Sequence, residues 1–322
     1  EIQLSLCDLK VNICKGVYVR VVTQYVEKAQ DLTCLRGIRL LRRMAPKQFA
    51  SPPVLLLSYP RSGSSWAGKI LATSKQLAYL REPITQPYLK RLGGEQAVFN
   101  VEDSHSDFDK YKKLADEAFA GIPRVHRGVI DNKRDFLPFT KNTNQKLLIK
   151  EVNPGAAKFY CTQYNVFLCL LLRHPAAVAL SFHERGWLQR HSELLTDEPE
   201  LDEWGRFGKL YGTFVAEAVE VVAQHHHAKI IQYEALVSDP KQQYANLFTA
   251  CGVAVPDNFD SVIEQYCYSQ SDLSSGYQTQ RNSQLTAQKW KTKLSAEQIN
   301  SLREGYLKSA LAYYREPSDW PI

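Results

Sequence analysis

Val54-Leu55-Leu56-Leu57-Ser58-Tyr59-Pro60-Arg61-Ser62-Gly63-Ser64-Ser65-Trp66-Ala67-Gly68-Lys69-Ile70-Leu71-Ala72 is the stretch from which the fold of this chain is read. Its first four residues form a short continuous apolar run, entered through Pro52-Pro53, which breaks the chain. Such a run, bounded by turn residues, predicts a strand buried on both faces, the kind found in parallel sheets. A loop of small residues with one glycine and one arginine follows, and then a helical stretch from Ala67 to Ala72. Strand, small-residue loop and helix together make an anion cradle. Backbone N–H groups at the helix N-terminus face the anion, serine hydroxyls add donors, and Arg61 supplies a fixed positive charge. A serine-rich helix cap is the plainer reading of this segment taken alone.

Working outward, similar apolar runs recur at Leu147-Leu148-Ile149, from Val166 to Leu172 and at Lys229-Ile230-Ile231, with a shorter one just before Glu82. Helical stretches separate them, notably Gly208 to Ala223 and Gln242 to Ala250. Strands alternating with helices predict the α/β class, a three-layer arrangement in which helices flank a parallel sheet. In such sheets the ligand sits beyond the carboxyl ends of the strands, so the residues just after each run carry the functional reading. Residues 51–322 are expected to form this single domain. Residues 1–50 read as a helical extension, and Val17 to Met44 has an apolar face interrupted by Arg36, Arg39, Arg42 and Arg43. These arginines read as a solvated helix face, with contact to a membrane or an acidic partner as the alternative.

A chain of 322 residues, 44% hydrophobic and 23% charged, can bury a full core, which sets aside disordered and fibrous classes. Its net charge of +6 suits an anionic small ligand and falls short of a dedicated nucleic-acid binder. The seven cysteines are scattered, with no C-x-x-C pair, so neither a zinc ribbon nor a redox pair is indicated. Cys161 and Cys169 read as buried thiols. His225, His226 and His227 are consecutive, and consecutive side chains do not converge on one ion. The longest apolar run, Val166 to Leu172, is strand length and far from the ~18–20 residues a membrane span needs. The absence of an Asn-x-Ser/Thr acceptor leans toward a cytoplasmic life. A lumenal fragment of a membrane-anchored enzyme stays open, because the sequence begins at Glu1.

Two frames compete for the cradle. Gly63 to Lys69 follows the Walker A pattern as far as its lysine, but Ile70 stands where Ser or Thr should bind magnesium. No later strand ends in an aspartate suited to the partner motif, so a P-loop kinase is the weaker frame. In the other frame, Tyr59-Pro60-Arg61-Ser62-Gly63-Ser64-Ser65-Trp66 resembles the 5′-phosphosulfate loop of the sulfotransferases, which use 3′-phosphoadenosine 5′-phosphosulfate. Cytosolic members usually carry Lys where Arg61 stands, whereas several membrane-associated carbohydrate and tyrosyl-protein branches carry Arg, a planar fork in place of a point charge. Arg173-His174-Pro175, with Ser181 eight positions after the arginine, is similar to that family's 3′-phosphate motif. Arg173 closes the run from Val166, and Ser181 falls about two turns along the next helix, able to face back. Tyr233-Glu234-Ala235-Leu236 followed by Asp239-Pro240 is similar to a strand-and-turn of the family, where Glu234 orders loops. Gln280-Arg281-Asn282-Ser283 with Trp290-Lys291 is similar to its C-terminal basic loop, which implies donor contacts for Arg281 and Trp290. These matches span residues 54 to about 291.

The resemblance implies a P-loop-like sulfotransferase fold and transfer of a sulfuryl group to a hydroxyl or amine of a small-molecule or carbohydrate acceptor, with no metal required. It assigns Arg61, Ser62, Gly63, Ser64, Ser65, Trp66, Arg173, Ser181, Arg281 and Trp290 to the donor, Arg61 also stabilising the leaving oxygen. A hydroxyl acceptor needs a general base. Glu82, in Leu80-Arg81-Glu82-Pro83, follows what reads as the second strand and is the candidate; a structural pair with Arg81 or another cation is its plainer role. His105 and His126 are the alternative bases, and His183 reads as a helix-surface residue. Lys150 and Glu151 are placed either to reach the site or to form a salt bridge. The stretches 84–145 and 184–206, with Tyr88, Phe99, Tyr111, Arg124, Arg127, Trp187 and Trp204, are expected to shape the acceptor pocket. An inactive nucleotide-binding sensor is the remaining alternative.

Overall fold

The computed structural model describes residues 33–34, 36–44, 47–124, 128–137, 144–195, 198–268 and 283–321. The apolar runs become five strands: β1 (Ala50–Ser58), β2 (Leu77–Arg81), β3 (Lys146–Glu151), β4 (Phe167–Leu172) and β5 (Ala228–Gln232). They form one sheet in the order β2-β3-β1-β4-β5, parallel at every pairing. The break expected at Pro52-Pro53 appears as an irregularity in register between Ala50 and Val54, because proline offers no N–H to the ladder. From Val54 onward β1 is paired on both sides, with Leu56 opposite Lys150 on β3 and opposite Cys169 on β4.

Helices lie on both faces. Between the first strands run α1 (Ser64–Leu71), α2 (Thr85–Arg91), α3 (Phe108–Phe119) and α4 (Ala157–Gln163). After β4 come α5 (Pro175–His183), α6 (Leu188–Ser192) and α7 (Glu203–Gln224), and after β5 come α8 (Tyr233–Ser238), α9 (Pro240–Ala250), α10 (Phe259–Cys267), α11 (Ser283–Gln288), α12 (Trp290–Lys293) and α13 (Ala296–Leu307). Side chains alternate across a strand, so the continuous apolar run feeds two cores. Val54 and Leu56 pack with Trp66 and Ile70 of α1 and with Tyr244 and Leu247 of α9. Leu55 and Leu57 join Tyr111 of α3, Phe182 of α5, and Phe207 and Tyr211 of α7. The expected three layers are therefore present. Cys169 is buried as read, while Cys161 is half-buried.

The longest helix, α7, starts at Asp202, whose carboxylate accepts the N–H of Gly205 at 2.8 Å. Gly205, Gly208 and Gly212 let α13 approach closely, since a Cβ on Gly208 would run into the carbonyl of Leu302. Among the described residues no helix is long and apolar enough to cross a membrane.

Of the stretch from Val17 to Met44, residues 33–34 and 36–44 are described and helical. The solvated reading of its four arginines is corrected at Arg42, which is 1% exposed. Its guanidinium donates to the carbonyls of Ala120 (3.2 Å), Gly121 (3.4 Å) and Lys47 (3.0 Å). Arg39 donates to the carbonyl of Ile122 at 3.1 Å and pairs with Glu117 at 2.5 Å. The last carbonyls of a helix lack intrahelical partners, and these two arginines satisfy those at and just beyond the end of α3.

Candidate functional site

The carboxyl ends of β1, β2, β3 and β4 bring the sequence-predicted residues to one edge of the sheet. After Ser58 the chain turns tightly, with the Ser62 N–H donating to the carbonyl of Tyr59 at 3.2 Å. Arg61 sits at φ 70° and Gly63 at φ 95°, both left-handed. A side chain at Gly63 would place Cβ 2.6 Å from the Tyr233 ring, so only glycine fits between loop and ring. Gly63 is the N-cap of α1 and provides no side-chain cap. The first helical bond runs from the Trp66 N–H to the Gly63 carbonyl (3.0 Å), which leaves the amides of Ser64 and Ser65 pointing out of the helix end. Ser58 Oγ donates to Ser64 Oγ at 2.7 Å, and buried Ser62 Oγ has no partner. An uncapped helix end beside an unsatisfied hydroxyl has the donor set an oxyanion requires.

The loop after β1 and the segment after β4 meet here. Arg61 Nε donates to Ser181 Oγ at 2.9 Å, joining the cradle to α5. Arg173, just past β4, donates from Nη1 to the Arg61 carbonyl (3.0 Å) and from Nη2 to the Thr286 carbonyl of α11 (3.2 Å). Its guanidinium lies 4.4 Å from the centre of the Tyr233 ring, its Nε has no partner, and it is 5% exposed. Arg61, Ser62, Gly63, Ser64, Ser65, Arg173 and Ser181 are thus assembled in one place.

Trp66 and Trp290 stand differently. Trp66 faces the core between Tyr233 and Tyr244 and donates its indole N–H to the Tyr266 carbonyl at 2.8 Å. Its side chain braces α1 and does not line the cradle. Trp290 stacks on His174 at 4.5 Å with an interplanar angle of 6°. It backs the turn that carries Arg173. Arg281 and His126, like Arg127, lie outside the described residues.

Glu234, expected to order loops, is part of that support, while sequence reading missed Tyr211, Tyr314 and Trp320. Glu234 accepts from the His174 N–H (3.0 Å) and from Tyr314 Oη (2.7 Å), while Trp320 packs on the His174 ring at 4.6 Å. Tyr211 donates to the Arg173 carbonyl at 2.5 Å. Tyr211, Tyr314 and Trp320 come from distant segments without a shared spacing, so sequence alone held no signal for them.

Burial lowers the pKa of His174 from 6.5 to about 3, reinforced by Lys291 and Arg173 and opposed by a backbone hydrogen bond to Asp319. Between those two values the unfolded chain holds a proton that the folded chain does not. Stability from this group is therefore complete above pH 6.5 and is lost as pH falls toward 3, by about 2 kcal/mol at pH 5. His174 Nδ1 caps α5 by accepting the Ala176 N–H, a task asparagine also performs. His174→Asn is expected to remove this acid-side loss, read as the pH dependence of urea midpoints for the variant against wild type.

Glu82 lies at the end of β2 in a left-handed conformation, φ 50°. Its carboxylate pairs with Lys150 Nζ at 2.5 Å and also accepts from Gln86 Nε2. Burial pushes its pKa up, but the charge and hydrogen bond of Lys150, then Gln86 and Arg81, outweigh it and hold the carboxyl at about 2. Lys150 is the cation that the sequence left undecided, and its side chain is 2% exposed. The neighbouring Glu151 accepts the Ile84 N–H at 2.7 Å and Thr85 Oγ1 at 2.6 Å, fixing the segment after Glu82 at the start of α2. Burial raises Glu151 to about 7 against those hydrogen bonds. His105 lies at the approach to α3, its ring 4.9 Å from Phe99 and its Nδ1 accepting from the Asp107 N–H. His183 is exposed, with its ring 5.2 Å from Trp204.

The Walker frame does not survive the backbone. Gly68 and Lys69 would have to close the loop, yet they lie inside α1. Lys69 pairs with Asp131 at 2.5 Å, and Ile70 is fully buried. Among the described residues no group of three His, Cys, Asp or Glu side chains could hold a metal ion.

No protein-family model and no curated relative matches this chain. Among solved structures it is similar to a sulfotransferase domain from the curacin biosynthetic pathway, at 18% identity over 81% of this chain and 99% of that one, with a TM-score of 0.44. It is also similar to a sulfotransferase domain from the Synechococcus PCC 7002 olefin synthase, at 17% identity over 81% and 98%, with a TM-score of 0.46. Mouse sulfotransferase SULT7A1 complexed with PAP is matched at 13% identity over 84% of this chain and 87% of that one, with a TM-score of 0.40.

Proposed function

We propose that this chain transfers a sulfuryl group from 3′-phosphoadenosine 5′-phosphosulfate to a hydroxyl or amine of a small-molecule or carbohydrate acceptor. The observation that carries this reading is the Arg61–Ser181 hydrogen bond together with Arg173 on the Arg61 carbonyl. It joins two motifs more than a hundred residues apart around one uncapped helix end, as a donor with phosphates at both its 5′ and 3′ positions requires. In this reading the Ser64 and Ser65 amides, Ser62 Oγ and Arg61 take the 5′-phosphosulfate, and Arg173 and Ser181 take the 3′-phosphate.

Transfer is an in-line displacement, in which the acceptor oxygen bonds to sulfur as the bond from sulfur to the phosphate oxygen breaks. Charge grows on that leaving oxygen, and preorganised donors in the cradle stabilise it without having to move. The hydroxyl proton goes to Glu82. A carboxylate held near pKa 2 is a weak base, and the Glu82–Lys150 pair supplies the remedy. Lys150 stands beside Leu56, two residues before the loop, so an anion in the cradle competes with Glu82 for its ammonium. Each contact withdrawn from Glu82 raises its basicity as the donor arrives. Lys150 then adds positive charge where the leaving group develops negative charge.

Calorimetry with 3′-phosphoadenosine 5′-phosphate in the absence of magnesium, run beside ATP with magnesium, tests the donor. Tight binding of the bisphosphate is expected. Magnesium-dependent binding of ATP with indifference to the 3′-phosphate would refute the proposal.

A further inference from the structure

The helix at 36–44 presents two unlike faces. Ile38 and Arg42 are buried against the rest of the protein, at 5% and 1% exposure. On the opposite side Leu40, Leu41 and Met44 are 60%, 39% and 76% exposed. Residues three and four apart share a helix face, which puts Arg36 and Arg43 along the flank of this apolar stripe. Both arginines are exposed.

The surroundings extend the positive charge. Arg91, in the last turn of α2, is exposed. Burial, then the like charges of Arg124, Arg36 and Arg39, lower the pKa of Arg91, so these groups share one neighbourhood. Arg39, Arg43 and Arg124 all pair with Glu117, the one carboxylate that the ion pairs of this cluster reach among the described residues. The result is an excess of arginine beside three unburied apolar side chains. A soluble acidic partner would satisfy the charges and leave the apolar stripe in water. The interface of an anionic bilayer satisfies both, because headgroups meet the guanidinium groups while Leu40, Leu41 and Met44 enter the acyl boundary.

We propose that the helix at 36–44, with Arg36, Arg43 and Arg91, is a docking surface for an anionic lipid membrane. This inference is independent of the sulfuryl-transfer reading. The attachment is peripheral and reversible. Three apolar side chains bury little area, and the attraction of the arginines fades within a Debye length.

The test is co-sedimentation of the full chain with phosphatidylcholine vesicles, with and without phosphatidylserine, at low and high salt. Binding is expected only with phosphatidylserine present, and it should fall as salt rises. Leu40→Gln with Met44→Gln should weaken it on the order of tenfold, from the apolar area no longer buried. Arg36→Gln should weaken it about fivefold, the share of one arginine near such a surface. All three positions are exposed, so thermal melting should match wild type. Failure to bind phosphatidylserine vesicles at low salt overturns the proposal. So does binding that the glutamine pair leaves unchanged while soluble heparin displaces it, the mark of a general polyanion site.

Discussion

Arg173→Ala is expected to weaken binding of 3′-phosphoadenosine 5′-phosphate on the order of 10²- to 10³-fold, read by calorimetry, and to remove turnover at ordinary donor concentration. The guanidinium is 5% exposed and rests on the Tyr233 ring, so little water competes for its charge. Truncating one side of such a desolvated charge contact costs about 2–5 kcal/mol, part of it the penalty left on the partner. Arg173 also ties the cradle to α11 through the carbonyls of Arg61 and Thr286. Arg173→Lys keeps the charge but not the fork, and it should recover only part of the affinity. Unchanged affinity in the alanine variant would remove the 3′-phosphate from this position.

The second large effect is on rate. Glu82→Gln is expected to lower kcat by about 10²- to 10⁴-fold, the usual share of a positioned base, while bisphosphate affinity stays within a few-fold. The pH profile separates this role from a structural one. The folded carboxyl sits at about 2, below its usual 4.5, so Glu82 is ionised throughout the neutral range. Wild-type kcat/KM, which reports the free enzyme, should therefore show no acid limb from Glu82 near neutrality. A limb near pH 6–7 that survives in the glutamine variant would move the base to a histidine. Stability carries its own signature. A depressed carboxyl pKa contributes stability that is present above pH 4.5 and lost as pH falls toward 2. Glu82→Gln removes that contribution and leaves Lys150, 2% exposed, without its carboxylate, so the variant should melt lower at neutral pH.

The fold was largely legible because its signal is local. A parallel strand covered on both faces must be apolar along its whole length, and Val54 to Leu57, Leu147 to Ile149 and Val166 to Leu172 declare that without reference to anything else. The shorter run before Glu82 and the one at Lys229 to Ile231 supplied the two edge strands, which are only five residues each. The arginines of the 36–44 helix show where this reading ends. Their spacing shows a polar stripe, but whether the stripe meets water or the open carbonyls beyond α3 depends on a contact some eighty residues away.

The candidate site divides along the same line. Sequence by itself determined the α/β class and the small-residue loop from Ser58 to Ser65 that joins β1 to α1, and the family resemblance it carries grouped Arg173 with Ser181. Each is written in consecutive residues or in one fixed spacing. Only the tertiary structure decided that Arg61 reaches Ser181, that Trp66 faces the core, that Gly68 and Lys69 lie within a helix, and that Lys150 neutralises Glu82. Those outcomes depend on how the parallel strands stand side by side. Register across β1, β3 and β4 sets which side chains share a strand end, and crossovers of arbitrary length leave that register unmarked in the sequence.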